Sequence, residues 1–324
     1  MADDALLPTL AELERALALV HPVVPATPQQ RWPLLDRRVG AEVWVKHENH
    51  TPVGAFKVRG GLTFFHELMA SGTPVAGVVT ATRGNHGQSV ALAAARHGLP
   101  VAVVVPHGNS VEKNAAMRAL GAELIEAGDD FQASVEVADR VAVERGWYRL
   151  PSFHRWLVMG VGTYALEFFR GAPALDTVYV PIGLGSGICG VIAARNALGL
   201  RTEVVGVVSA HAPAYARSLA SGVAESHPVS TMLADGMACR TPVPAALAAM
   251  RGQLARVVEV TDEQVAQAMR ALFTDTHNVA EGAAAAPLAA ILAEADQVRG
   301  RRVGFVLSGG NVDAPLFARV LAAA

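Results

Sequence analysis

The sequence predicts an α/β protein in which two successive sheet-and-helix series face one another across a cleft. Three observations carry this reading. Short runs of branched residues alternate with helical stretches, as parallel strands joined by helical crossovers require. Glycine stands at or near several helix ends, where a left-handed residue closes the last turn. The alternation pauses near residue 150 and then resumes.

Residues 6–20 (LLPTLAELERALALV) have helical apolar spacing after an early proline. Residues 42–48 (EVWVKHE) alternate as a strand, and 51–60 (TPVGAFKVRG) lead into a helix at 61–71. Strands are expected at 75–80, 101–105 and 122–127, with helices at 86–98, 110–121 and 131–146. Beyond residues 147–153 (WYRLPSF), a helix near 160–170 gives way to a strand at 177–183. The second series continues with a strand at 203–209, a helix near 212–221 and a glycine- and proline-containing passage at 222–244. A strand at 256–260 precedes a helix at 262–275, whose opening Asp262 and Glu263 suit the positive end of a helix dipole. The alanine run 283–286 favours helix, and the chain closes with a strand leading into 307–311 and a terminal helix.

Composition narrows the function. The 324 residues allow one large domain or two ordinary ones, and 52% apolar against 17% charged residues excludes an extended disordered chain. With 27 Lys+Arg against 29 Asp+Glu, the broad basic footprint of a nucleic-acid binder is absent. Two cysteines, Cys189 and Cys239, make neither a disulfide scaffold nor a thiolate metal cluster. The N-terminus, with Asp3, Asp4, Glu12 and Glu14, does not read as a secretory signal, and no apolar run reaches membrane-spanning length. A cytoplasmic protein acting on a small molecule is the expectation, with no nucleic-acid or membrane partner.

Four strand-to-helix junctions could carry chemistry. Residues 54–60 (GAFKVRG) set Lys57 between Phe56 and Val58. An apolar setting shifts lysine toward its neutral amine, which attacks carbonyls and forms Schiff bases; the same residues also suit Lys57 and Arg59 as solvent-facing charges at a helix start. Residues 80–89 (TATRGNHGQS) gather Thr82, Asn85 and His86 with amides opened by Gly84 and Gly87. That arrangement fits a carboxylate or an aromatic hydroxyl, or simply a capped helix end. Residues 181–190 (PIGLGSGICG) offer successive amides at Gly183, Gly185, Ser186 and Gly187 that can surround a phosphate, although close helix packing would also explain the glycines. Their spacing is neither a dinucleotide fingerprint nor a Walker loop. In 307–311 (LSGGN), Ser308 can meet a ring nitrogen while Gly309 and Gly310 admit a cofactor to the backbone.

Lys57 in AFKVRG, Asn85 in RGNHGQ, the glycine loop 183–187, residues 233–236 (LADG) and 308–311 (SGGN) together resemble the serine/threonine dehydratase group of fold-type II pyridoxal-phosphate enzymes. The resemblance implies two open twisted sheet-and-helix domains with pyridoxal 5'-phosphate in the cleft. It divides the chain into a large cofactor domain at 1–50 and 154–324 and a small substrate-loop domain at 51–153, with no regulatory domain, in a homodimer. It makes Lys57 the Schiff-base lysine, sets Asn85 on the cofactor's ring hydroxyl and gives its phosphate to Gly183, Gly185, Ser186 and Gly187. Gly236 would also adjoin the cofactor, Glu281 would orient groups near the pyridine ring or merely begin a helix, Ser308 would face the pyridine nitrogen, and Thr82, Arg83, Gly84, Asn85 and His86 would take the substrate carboxylate.

Departures from the family pattern restrict what is carried over. Ala55 replaces the serine usual before the phenylalanine and lysine. Arg83 stands where serine racemases of the family carry a serine acting as the opposite-face acid/base, and arginine stays protonated. Ser209, Ala210 and Tyr215 occupy the positions of a divalent-cation site, so none is expected. His154 and Arg155 replace an acidic tract, and could line the entrance or lie on the surface. The reaction implied is dehydration of a 3-hydroxy amino acid, L-threonine or L-serine by default and 3-hydroxyaspartate or phenylserine as competitors, to a 2-oxo acid and ammonia. The alternatives are β-replacement through an aminoacrylate intermediate, or an amino-acid-binding pyridoxal-phosphate protein without turnover.

Overall fold

A computed structural model of the chain describes residues 6–323; Asp3 and Asp4 of the N-terminal reading lie outside them. The helix α1 (Leu10–Val20) starts at Thr9, which caps it reciprocally with Glu12, and buries Leu13, Ala16 and Val20. A short strand β1 (Gln29–Arg31), helix α2 (Pro33–Val39) and strand β2 (Glu42–His47) follow. The next helix, α3 (Lys57–Ala70), begins at Lys57 itself rather than after Gly60.

The four-stranded sheet comes next in sequence. It comprises β3 (Val78–Ala81), β4 (Val101–Val105), β5 (Glu123–Glu126) and β6 (Tyr148–Arg149), in the order β5-β4-β3-β6 with every pairing parallel. Helices α4 (Asn85–Arg96), α5 (Val111–Ala119) and α6 (Phe131–Arg145) make the crossovers. The central strands β3 and β4 are buried along their whole length, which is why they read as unbroken branched runs.

Helix α7 (Arg155–Gly171) leads to β7 (Thr177–Pro181), α8 (Ser186–Ala197), β8 (Glu203–Ser209), α9 (Ala214–Ser221), α10 (Pro244–Met250), β9 (Arg256–Val260) and α11 (Asp262–Thr276). The chain ends with α12 (Gly282–Ala293), α13 (Ala295–Val298), β10 (Arg302–Leu307) and α14 (Ala314–Ala322). The six-stranded sheet runs β1-β2-β10-β7-β8-β9, parallel except at β1. The alanine-rich α12 is buried on nearly every side, its small side chains admitting close approach to the sheet and to α11. Among the described residues no helix is long and apolar enough to cross a membrane.

Arg59, which the sequence allowed as a solvent-facing charge, is fully buried. Its guanidinium grips Glu48 at 2.7 and 2.9 Å and Glu167 at 2.6 and 3.0 Å. Lys46 joins the same cluster, 2.6 Å from Glu167. Helix α3 is thereby fixed to the turn that follows β2 and to α7, within two residues of Lys57, because a buried arginine needs its charge and donors matched.

Candidate active site

Strand ends from both sheets supply the residues around Lys57. Backbone pairing draws two of the junctions together: Phe56 N–H donates to the Ser308 carbonyl at 3.0 Å, and Ala55 bridges Gly309. Ser89 on α4 donates its hydroxyl to the Lys57 carbonyl at 2.7 Å, which ties the 80–89 junction to the same point.

The Lys57 ammonium lies 3.1 Å from Ser186 Oγ and 4.9 Å from the Phe56 ring centroid. Burial brings its pKa down to about 8, against the opposing pull of the Glu281 charge. Ser186 is the first residue of α8, and left-handed Gly185 precedes it as the cap. Amides at the start of α8 thus open beside the Lys57 amine. Gly183 lies so close to the Gly236 carbonyl that a Cβ would stand 2.3 Å from its oxygen, so the glycine loop and the 233–236 segment are in direct contact. Gly187 sits one residue further along α8, its carbonyl accepting from the Tyr164 hydroxyl at 3.2 Å.

Asn85 opens α4 and faces the other sheet. Its Nδ2 donates to Glu281 Oε1 at 2.7 Å, and its Oδ1 accepts from Asn311 Nδ2 at 2.9 Å. Glu281, at the start of α12, is 4% exposed. Burial raises its pKa above the usual carboxylate range; Lys113 pulls it back and Asp235 pushes it up further. Ser308 is buried at the end of β10.

In the 82–86 loop, Thr82 is buried and its Oγ1 accepts from the Gly84 amide at 3.0 Å, leaving the hydroxyl proton to donate. Arg83 is exposed. His86 is 7% exposed, and burial, aided by the Lys57 and Arg149 charges, holds its pKa down at about 3, so the ring is neutral. Its Nε2 is buried without a hydrogen-bond partner among the described residues, whereas Glu281 Oε2 lies 3.4 Å from the Lys113 ammonium. A buried imidazole nitrogen short of a hydrogen bond, a lysine tuned toward its free amine and an open helix N-terminus make a set of groups suited to a phosphorylated aldehyde with a polar ring edge.

Other candidates fall elsewhere. Arg155 pairs with Glu12 at 2.7 Å, and His154 caps α7 by accepting from the Trp156 amide at 3.2 Å while its ring packs on Phe64 and Trp156. Cys189 and Cys239 are buried, with thiols pushed up to about 12 and about 11. Two residues were not singled out from the sequence. Lys113, on α5, reaches Asp235 at 2.7 Å and Glu281 at 3.4 Å. Asp235 stands inside the LADG segment quoted for Gly236, but nothing in the polar pattern of 110–121 marks Lys113 as buried.

The architecture and this site define the fold-type II class of pyridoxal-phosphate enzymes. A family model described as pyridoxal-phosphate dependent enzyme matches residues 20–309, and the chain belongs to that family, in its threonine/serine dehydratase-like group. It is 33% identical to the L-threonine ammonia-lyase of Thermotoga maritima over 97% of this chain and 78% of that protein. It is 28% identical to the L-threo-3-hydroxyaspartate ammonia-lyase of Saccharomyces cerevisiae, over 98% and 97%. The crystal structure of a T.th. threonine deaminase superposes with a TM-score of 0.88 at 31% identity, covering 94% of this chain and 99% of that one.

Proposed function

We propose that the protein is a pyridoxal-phosphate-dependent ammonia-lyase that converts a short, neutral 3-hydroxy amino acid, L-threonine or L-serine, to a 2-oxo acid and ammonia. The observation that carries this is the Lys57 amine, lowered to about 8 and 3.1 Å from Ser186 at the mouth of α8. The bound cofactor supplies an electron sink for charge developing at the substrate α carbon.

The chain's residues do the rest. Lys57 holds the cofactor through its amine and, once released, takes the α proton, since a group with a pKa near 8 is partly free base at neutral pH. Gly183, Gly185, Ser186 and Gly187 receive the phosphate, with Gly236 packed against them. Asn85 and Glu281 meet the ring hydroxyl, and Ser308 meets the ring nitrogen without forcing it to be protonated. Thr82, Arg83, Gly84, Asn85 and His86 hold the substrate carboxylate. The β hydroxyl departs as water, and a second water releases the nitrogen as ammonia, so the balance is amino acid to 2-oxo acid plus ammonia. Racemisation is disfavoured because Arg83 is no base.

The preference for a neutral β substituent rests on charge. Lys113 is already matched by Asp235 and Glu281, Arg155 is held by Glu12, and His86 is neutral. An acidic substituent would find little uncompensated positive charge there. The second reading, 3-hydroxyaspartate, is favoured by the likeness over nearly the whole chain to the L-threo-3-hydroxyaspartate ammonia-lyase of Saccharomyces cerevisiae. Release of 2-oxo acid from a panel of L- and D-3-hydroxy amino acids, with cofactor-loaded protein, decides between them. Threonine or serine turnover that disappears in Lys57→Ala is expected. A cofactor-loaded protein that turns over no member of the panel sinks the lyase reading.

A further inference from the structure

Lys113 lies outside the sequence motifs, yet its geometry is specific. It is 6% exposed, and its helix α5 joins β4 to β5 of the four-stranded sheet. Its ammonium nevertheless ends on carboxylates carried by the other half of the molecule: Asp235 at 2.7 Å, in the segment packed against Gly183, and Glu281 at 3.4 Å, at the start of α12. The first turn of α5 is pinned across the same gap. Ser110 hydrogen-bonds Asp313, and the Ala314 amide donates to Glu112 at 2.8 Å.

The stem of Lys113 runs beneath the 82–86 loop. A Cβ at Gly84 would stand 2.4 Å from Lys113 Cδ and 3.0 Å from its Cγ, so only glycine lets the loop rest on the lysine. A second route reaches the same loop from the ammonium end, because Glu281 uses its other oxygen to hold Asn85 at 2.7 Å. Without the ammonium, the buried Glu281 carboxylate would lose its cation while still facing the negative charge of the partly exposed Asp235, and would no longer be fixed for Asn85.

We propose that Lys113 is a positioning residue: its stem and its two ion pairs hold the 82–86 loop in the conformation that receives the substrate carboxylate. This rests on the reading of that loop given above. The effect of Lys113 travels through Gly84 and through Glu281 and Asn85.

The test compares K113M and K113R holoenzymes with the parent, by kinetics on the substrate that the panel identifies and by hydrogen exchange of amides 82–87. K113M is expected to raise KM by about 10-fold or more while kcat changes by less than about 3-fold, and to speed exchange in that segment. K113R keeps a cation and an aliphatic stem and should recover most of both. Unchanged KM and exchange in K113M, or a K113R as impaired as K113M, overturns the proposal. If K113M does not fold, D235N removes one ion pair while leaving the lysine, and an unaltered KM and exchange there also overturns it. A parent enzyme that releases no 2-oxo acid defeats the lyase reading instead, and exchange of 82–87 in the variants then decides the role of Lys113 alone.

Discussion

Tyr215 illustrates how much of the site is held by single atoms. Its ring is almost wholly buried, and its hydroxyl donates to the Leu184 carbonyl at 3.0 Å while accepting from the Val243 amide at 3.0 Å. Leu184 lies inside the glycine loop, so one phenol oxygen braces the proposed phosphate cradle against the segment leading into α10. Tyr215→Phe keeps the packing and leaves a buried amide and a carbonyl each short of a partner, a loss worth about 1–3 kcal/mol. The expected outcome is roughly 10-fold weaker binding of pyridoxal phosphate, at about 1.4 kcal/mol per decade, with little change for pyridoxal, which lacks the phosphate. Absorbance titration of both aldehydes measures this. Equal weakening for the two would mean that the hydroxyl supports the fold in general and not the cradle.

At the scale of elements, the parts of the sequence that read clearly are those whose environment is uniform. The fully buried strand β4 and the nearly buried β8 announce themselves as branched runs, and α11 by the acidic residues of its first turn. The strand β1, three residues reading Gln-Gln-Arg, and the two-residue β6 exist because a neighbour offers a ladder, not because their composition demands one. The same distinction applies at the site. Glycine-rich junctions are visible because backbone approach requires glycine, whereas the buried Lys113 and Arg59 look like any surface cation until tertiary partners are known. Arg59 makes the point testable: it anchors the start of α3, and Arg59→Met would leave the fully buried Glu48 without its paired guanidinium and Glu167 with Lys46 alone among its buried cations. Breaking such a buried network is expected to cost about 3–5 kcal/mol in urea unfolding. A loss below about 1 kcal/mol would show that the cluster is solvated and does not fix Lys57's helix.

For the molecule as a whole, buried neutral imidazoles set the response to acid. Burial lowers the pKa of His47 to about 4 and that of His86 to about 3, each from an ordinary 6.5. His47 Nε2 accepts from the Trp32 indole at 3.1 Å, which requires that nitrogen to be unprotonated. Because both folded values are depressed, their contribution to stability is fully present above the ordinary value. It falls as pH drops and the unfolded chain takes up protons that the fold refuses, down to the folded values. Each imidazole contributes a slope of about 1.4 kcal/mol per pH unit within that window. Glu281, whose folded pKa is raised, acts the other way just above the ordinary carboxylate range, and so blunts the loss without reversing it. Unfolding free energies measured from about pH 7 to about pH 5 should therefore fall for the parent, and fall by about 2 kcal/mol less over that interval for His47→Gln and for His86→Gln. The substitutions also change stability by an amount independent of pH, and only the slope reports the titration. Parallel slopes in all three proteins would mean that these rings take up protons in the folded state as readily as in the unfolded one.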